Sequence, residues 1–137
     1  MTRAAAFARA AAFAALAGLA GVSAQAADEA ADYPSRAVTL VVPYPPGGPN
    51  DVIARTLGPE MAAALGKPVV IENRPGAGGN TATGAVARAV ADGHTVLVPG
   101  IPYAVNPALL DKVPYAFTHF RAVAVVARGA LLLVAHP

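Results

Sequence analysis

Two glycine-rich turns carry the residue types that could hold an anion. The first reads Pro43-Tyr44-Pro45-Pro46-Gly47-Gly48-Pro49-Asn50-Asp51. The second reads Glu72-Asn73-Arg74-Pro75-Gly76-Ala77-Gly78-Gly79-Asn80-Thr81. Each follows a β-branched run, Val38 to Val42 and Val69 to Ile71, and each leads into a stretch with helical character. The first turn of a helix presents N–H groups without intrahelical acceptors, together with the positive end of the helix dipole. Glycine lets such donors approach a ligand, because no Cβ stands between. A charged acceptor gains about 1.5–3 kcal/mol per hydrogen bond, and each helix end adds about 0.3–1 kcal/mol. Two such turns on one sheet edge could orient a carboxylate without an arginine. Glycines also serve tight strand-to-helix turns with no ligand at all. For one turn that use suffices; the recurrence of two on one edge favours a ligand.

The candidate contacts are Tyr44, Pro45, Gly47, Gly48, Asn50, Asp51, Gly78, Gly79, Asn80, Thr81 and Tyr103. Asp51 has two uses. It would suit an amino group on a ligand, or it starts the first helix, where a carboxylate is favoured, and pairs with Arg55 at i+4. The second use is preferred, since a free carboxylate beside a bound anion is costly. Arg74 reads as a solvated loop cation. Tyr44 and Tyr103 are placed either to wall a pocket or to pack in the ordinary way.

Other chemistries lack their residues. The dinucleotide pattern requires Gly-x-Gly-x-x-Gly, but the run from Gly76 places Thr81 where the last glycine belongs. Gly66-Lys67 is followed by Pro68 rather than Ser or Thr, so the phosphate loop fails. His94, His119 and His136 show no metal-ligand spacing. Ser23 and Ser35 lie outside the turns and no Gly-x-Ser-x-Gly elbow exists. Cysteine is absent, which excludes disulfides and a thiolate nucleophile. A catalytic triad has no nucleophile, so the expectation is a binding protein without cofactor or metal, not an enzyme. A small phosphate- or nucleotide-binding α/β enzyme is the alternative of a different class.

The elements that position these residues follow from periodicity and punctuation. Val38 to Val42 is a strand apolar enough to be buried on both faces. Asp51 to Leu65 is a helix with Ile53, Leu57, Met61 and Leu65 on one stripe. Gly66 and Pro68 end it, and Pro59 predicts a kink or break. Val69 to Glu72 is the second strand. Asn80 to Ala91 is the second helix, with Asn80 as N-cap, Gly93 as stop, and Val86 and Val90 on its buried face. His94 to Val98 is the third strand. Asn106-Pro107 starts a short helix through Leu110, Val113 to Phe120 is irregular, and Ala122 to Ala127 and Ala130 to Ala135 read as two further strands. The order βαβαβ with short connections implies an α/β fold with parallel strands. The loops Tyr44 to Asn50, Asn73 to Gly79 and Pro99 to Val105 then share the carboxyl edge, where such sheets bind ligands.

The first residues read as an export signal. Arg3 and Arg9 flank a basic start, Ala10 to Ala20 is an apolar run, and Ala24-Gln25-Ala26 fits a cleavage site after Ala26. The run is shorter than the ~20 residues of a membrane span. Of ten Lys and Arg in the chain, Arg3 and Arg9 leave with the signal, so eight basic residues face eight acidic ones. The electrostatic warrant for nucleic-acid binding disappears with them.

These residues resemble the Bug-type periplasmic receptors, the extracytoplasmic solute-binding proteins of tripartite tricarboxylate transporters. The resemblance rests on Tyr33-Pro34-Ser35-Arg36, on Val41-Val42-Pro43-Tyr44 with Pro46-Gly47-Gly48 and Asp51, and on Glu72 to Asn80. It continues through Asp92-Gly93-His94-Thr95, Asn106-Pro107, Val113-Pro114-Tyr115 and His136-Pro137. It implies a type II periplasmic-binding-protein fold, with two α/β lobes closing on a small carboxylated solute for delivery to a membrane permease. It implies a periplasmic monomer, and it implies that the loops matching Tyr44 to Asp51 and Gly76 to Thr81 hold a ligand carboxylate, partly through ordered water. Three departures bear on ligand choice. Pro49-Asn50 replaces small hydroxyl residues, Pro59 interrupts the first helix, and Pro99-Gly100-Ile101-Pro102-Tyr103 replaces a loop richer in Ser, Thr and Gly. Family members are more than twice as long. The expected organisation is a signal peptide at 1–26, the N-terminal part of an incomplete first lobe at 27–121, and the start of a crossover to the second lobe at 122–137. Such a fragment is expected to capture solute weakly or not at all, and a non-functional remnant of a disrupted receptor is a further alternative.

Overall fold

A computed structural model of the chain describes residues 32–129 and 134–135. The expected signal peptide, most of the leader after it, and the core of the strand expected at Ala130 to Ala135 lie outside the described residues. The chain divides into two compact units, Met1–Ser35 and Arg36–Pro137. Of the first, the described residues include a cis Tyr33–Pro34 peptide.

The centre of the second unit is a parallel three-stranded sheet. Strand β1 (Val38–Val42) lies between β2 (Val69–Asn73) and β3 (Thr95–Leu97). Val38 pairs with Val69 and Val42 with Asn73 on one side, and Thr39 with Thr95 and Val41 with Leu97 on the other. The expected βαβαβ order is therefore present, and the sheet order 2-1-3 places a topological switch point between β1 and β3. Val38, Leu40, Val41 and Val42 are buried, as a central strand covered on both faces requires.

Helix α1 (Pro49–Leu65) covers one face. Leu40, Val42 and Ala54 form the core there, with Tyr44, Met61, Val69, Ile71, Val96 and Val98 packed around them. The closest approach is made by Ala54 and Gly58, which are buried, while Ile53, Leu57, Met61 and Leu65 are half-buried. The expected apolar stripe thus flanks the seam. A Cβ on Gly58 would stand 3.0 Å from Ile71 Cδ1, so small residues set the helix-to-sheet distance. The helix runs through Pro59 without the break that was one of the two outcomes expected there. The proline ring disfavours the helical region for the residue before it by meeting that residue's N–H and Cβ; here that residue is Gly58, which has no Cβ and so escapes part of the clash.

Helix α2 (Asn80–Ala87) covers the other face and follows a 3₁₀ turn at Ala77–Gly79. It is four residues shorter than the periodicity suggests. Arg88 and Ala89 close it with 3₁₀-type bonds to Ala85 and Val86, and Val90 is 75% exposed rather than buried. Gly93, with φ +81°, sits in the following bend. The N-cap is Gly79, not Asn80. Helix α3 (Ile101–Leu109) begins at Gly100 with Pro102 in its first turn, so Asn106 and Pro107 lie inside it instead of starting it. Residues 113–120 are irregular apart from a 3₁₀ turn at Phe117–His119. Ala122 to Ala127 forms no strand, and Val123 and Val125 are 85% and 75% exposed. β-propensity without a paired neighbour does not hold a strand.

Candidate functional site

The first glycine turn is built around Asp51. Its side chain is buried beneath the start of α1. Oδ2 accepts from the Gly47 N–H at 2.8 Å and from Arg55 Nε at 2.9 Å, and Oδ1 accepts from Asn73 Nδ2 at 2.9 Å. The Arg55 bond, then the Gly47 and Asn73 bonds, lower its pKa to about 2. Both carboxylate oxygens are thus engaged within the protein, and the i+4 pair with Arg55 is formed. Asn73 also donates to the Tyr44 carbonyl at 3.1 Å, and Arg55 Nη2 donates to Asn73 Oδ1 at 3.2 Å. The end of β2 is tied in this way to the loop after β1. Gly47, with φ +85°, spends its N–H on Asp51. Pro49 supplies no N–H, which leaves those of Asn50 and Asp51 as the first-turn donors of α1 without an intrahelical acceptor.

The second turn winds through four consecutive residues of positive φ, Gly76 to Gly79, with Ala77 the one non-glycine at +48°. Thr81 folds over this turn, so that a Cβ on Gly76 would stand 2.9 Å from Thr81 Oγ1. The buried Thr83 donates its hydroxyl to the Gly79 carbonyl at 2.8 Å. Asn80 is buried at the start of α2, and its Oδ1 accepts from Asn106 Nδ2 at 2.9 Å. Arg74, just before the turn, is clamped on Glu72 by two bonds of 2.6 and 3.0 Å and is half exposed. The sequence reading of Arg74 as a solvated cation fits this geometry.

Tyr44 joins the three carboxyl-edge loops. A Cβ on Gly79 would lie 3.5 Å from its hydroxyl, and one on Gly100 would lie 2.7 Å away. Burial raises the Tyr44 pKa, opposed by a hydrogen bond from the Gly100 main chain, so the phenol is neutral at physiological pH. Asn50 reaches across to the third loop, donating to the carbonyls of Pro99 at 2.8 Å and Val98 at 3.4 Å. Tyr103 packs among aromatic rings, one of the two uses expected of it. Its ring stacks on Tyr115, with centroids 5.5 Å apart, and meets Phe117 and Phe120 edge-on, while its carbonyl accepts the Tyr115 hydroxyl at 2.8 Å. Burial raises the pKa of Tyr103.

Tyr44, Gly47, Gly48, Asn50, Asp51, Gly78, Gly79, Asn80 and Thr81 are thus gathered at one edge, with Pro45 exposed beside them. Two arginines near the turns, Arg55 and Arg74, are each held by a carboxylate. What the edge can offer an acid is neutral N–H and O–H groups at helix ends. Two open grooves, of about 200 and 300 Å³, lie along α2 and along α1 beside β2; Glu72 and Arg74, at the start of the second turn, line the first of them, and none of the turn glycines lines either. Among the described residues no cluster of three or more His, Cys, Asp or Glu could hold a metal, and no helix is long and apolar enough to cross a membrane. Sequence reasoning missed Asn73, Gly100 and the role of Asn106. Asn73 carried a usable signal, an amide at the carboxyl end of a strand beside the turn. The other two act through contacts between segments distant in sequence.

A parallel α/β unit with glycine turns at the carboxyl edge is the class that fold and site define. The tripartite tricarboxylate transporter family receptor profile, TctC, matches residues 53–137, and the chain belongs to that family. Protein BugT of Bordetella pertussis is 42% identical over 116 residues, which cover 82% of this chain and 36% of BugT. A protein encoded in the tcbD-tcbE intergenic region of a Pseudomonas species is 43% identical over 83 residues, 61% of this chain and 25% of that protein. A solved structure described as a periplasmic transporter is 39% identical, with a TM-score of 0.53 over 61% of this chain and 28% of that one. The chain therefore spans about a third of BugT's length. Members of the family are periplasmic binding receptors, not enzymes, which sets aside the nucleotide-enzyme alternative.

Proposed function

We propose that the chain serves as solute-binding receptor of a tripartite tricarboxylate transporter, taking a small carboxylated solute in the periplasm as a monomer and presenting it to a membrane permease. The observation that carries this is the junction of two glycine turns and two helix starts at one sheet edge, with the neighbouring arginines each held by a carboxylate. Such a site favours an anion by hydrogen bonds and helix ends rather than by ion pairing. In this reading residues 27–121 supply the first lobe's N-terminal part and residues 122–137 lead toward the second lobe. A signal peptide at 1–26, cleaved after Ala26, provides the export route.

The loops that carry the donors are largely exposed, with Pro45, Gly47, Gly78 and Thr81 open to solvent. Water competes for the same donors, and a bound carboxylate is expected near millimolar affinity, about −4 kcal/mol, rather than micromolar, about −8 kcal/mol. Equilibrium titration of the purified chain with citrate, a dicarboxylate panel and ADP tests the reading. Saturable carboxylate binding without ADP binding is expected. Preference for ADP, or equal heats from an uncharged polyol, would overturn it.

A further inference from the structure

Asn106 was expected to start a helix, yet it sits inside α3 and reaches back to the second glycine turn. Its Nδ2 donates to Asn80 Oδ1 at 2.9 Å and to the Gly78 carbonyl at 3.3 Å. The Gly78 carbonyl can only accept, so the face of the Asn106 amide turned toward the glycine turn must be its NH₂ group. That NH₂ group then requires the oxygen of Asn80 opposite it. Asn80 is left with its own NH₂ directed elsewhere, and among the described residues its Nδ2 forms no hydrogen bond. Asn80 is only 8% exposed, at the first position of α2. Its Nδ2 is not sealed from solvent, so the donor is open to an approaching acceptor.

We infer that Asn106 is a positioning residue that fixes the Asn80 amide with its N–H side toward the ligand, so that the site selects hydrogen-bond acceptors over donors. The inference rests on the carboxylate reading above and deepens it. A main-chain carbonyl sets one amide, that amide sets the next, and the polarity of the second decides which end of a polar solute is welcome. A flipped Asn80 would offer its oxygen and repel a carboxylate. The same two bonds join α3 to the glycine turn, so the loop after β3 shares in orienting the donor that follows β2.

Hydrogen exchange of side-chain amides, followed by nuclear magnetic resonance on the full chain, reads the relay directly. In the unaltered chain the Asn106 NH₂ should exchange about tenfold more slowly than that of Asn80, the ratio one charge-free hydrogen bond of ordinary strength supplies. The reverse order overturns the inference, and this reading depends on no variant. Asn106→Asp places acceptors opposite Asn80, so the Asn80 amide should flip to donate, and its exchange should slow about tenfold or more. A role in stability alone would lower the melting temperature and leave the Asn80 signals where they were, which also overturns the inference. Citrate added to the unaltered chain should shift the Asn80 NH₂ signals. If they stay fixed while Asn106→Asp still slows their exchange, the relay stands and the carboxylate reading is the part that fails.

Discussion

Replacing Gly78 and Gly79 separately by alanine should give unequal losses of stability, although the residues are adjacent. Gly78 has φ 62° and ψ 27°, near the left-handed well that L-residues enter at about 1–2 kcal/mol. A Cβ there meets Asn106 Nδ2 at 3.6 Å, an ordinary contact. Alanine also narrows the unfolded ensemble, which returns about 0.4–1 kcal/mol, so the net loss for Gly78→Ala is about 0.5–1 kcal/mol. Ala77, already at φ +48°, shows the turn holding alanine in this region. Gly79 has φ 92° and ψ −7°, outside that well. Its Cβ would press on Pro43 Cβ at 3.2 Å, a buried ring with no free torsion to yield. Backbone strain and overpacking each cost about 1–3 kcal/mol, so Gly79→Ala should lose about 2–4 kcal/mol. For a domain of this size 1 kcal/mol moves the melting temperature by about 4–8 °C. Thermal unfolding followed by circular dichroism should therefore show a fall of about 3–6 °C for Gly78→Ala and at least about 10 °C for Gly79→Ala. Equal falls, or a stabilised Gly79→Ala, would refute the account of how the turn is held.

Three further outcomes are expected. The Asp51 pKa is depressed in the folded chain, so its contribution is fully present above the ordinary carboxylate value near 4 and is lost as the pH falls toward about 2; a plot of melting temperature against pH should lose that acid limb in Asp51→Asn. Gly84→Ala should destabilise even though alanine favours a helix by about 1 kcal/mol, because its Cβ would stand 2.7 and 2.9 Å from the Pro114 ring; overpacking of about 1–3 kcal/mol outweighs the gain, and urea unfolding should show a lower midpoint. Gly100→Ala should expel the Tyr44 ring, whose hydroxyl would lie 2.7 Å from the new Cβ. Burial is what raises the Tyr44 pKa, so spectrophotometric titration of tyrosinate should show one tyrosine returning toward pKa 10.

The sheet and its order were legible because the signals were local. Val38–Val42 and Val69–Asn73 are short β-branched runs bounded by proline and glycine, and the connections between them permit only parallel pairing. The Asp51–Arg55 pair was legible because i+4 neighbours on a helix face each other. The lengths of α2 and α3 were not. Arg88 to Ala91 continues a plausible helical pattern, but Arg88, Val90 and Ala91 are exposed and bury no apolar face that would hold a further turn. Asn106-Pro107 has the look of a helix start and lies inside a helix begun by Gly100 and Pro102. The couplings that organise the site, Asn73 to Asp51, Asn106 to Asn80 and Tyr44 against Gly100, span 22, 26 and 56 residues. No spacing rule in one sequence encodes contacts of that separation. The continuity of α1 through Pro59 was readable in principle, since Gly58 precedes it, but the strength of interior proline as a breaker argues the other way.

The central claim is that neutral donors at the two helix starts, not arginine, receive a carboxylate. Mapping backbone amide shifts during citrate titration of the ¹⁵N-labelled chain tests it most directly. The amides of Asn50, Asp51 and Thr81 should move together along one saturation curve, while the side-chain signals of Arg55 and Arg74 stay fixed. Shifts confined to those arginine signals, with the three amides unmoved, would contradict it.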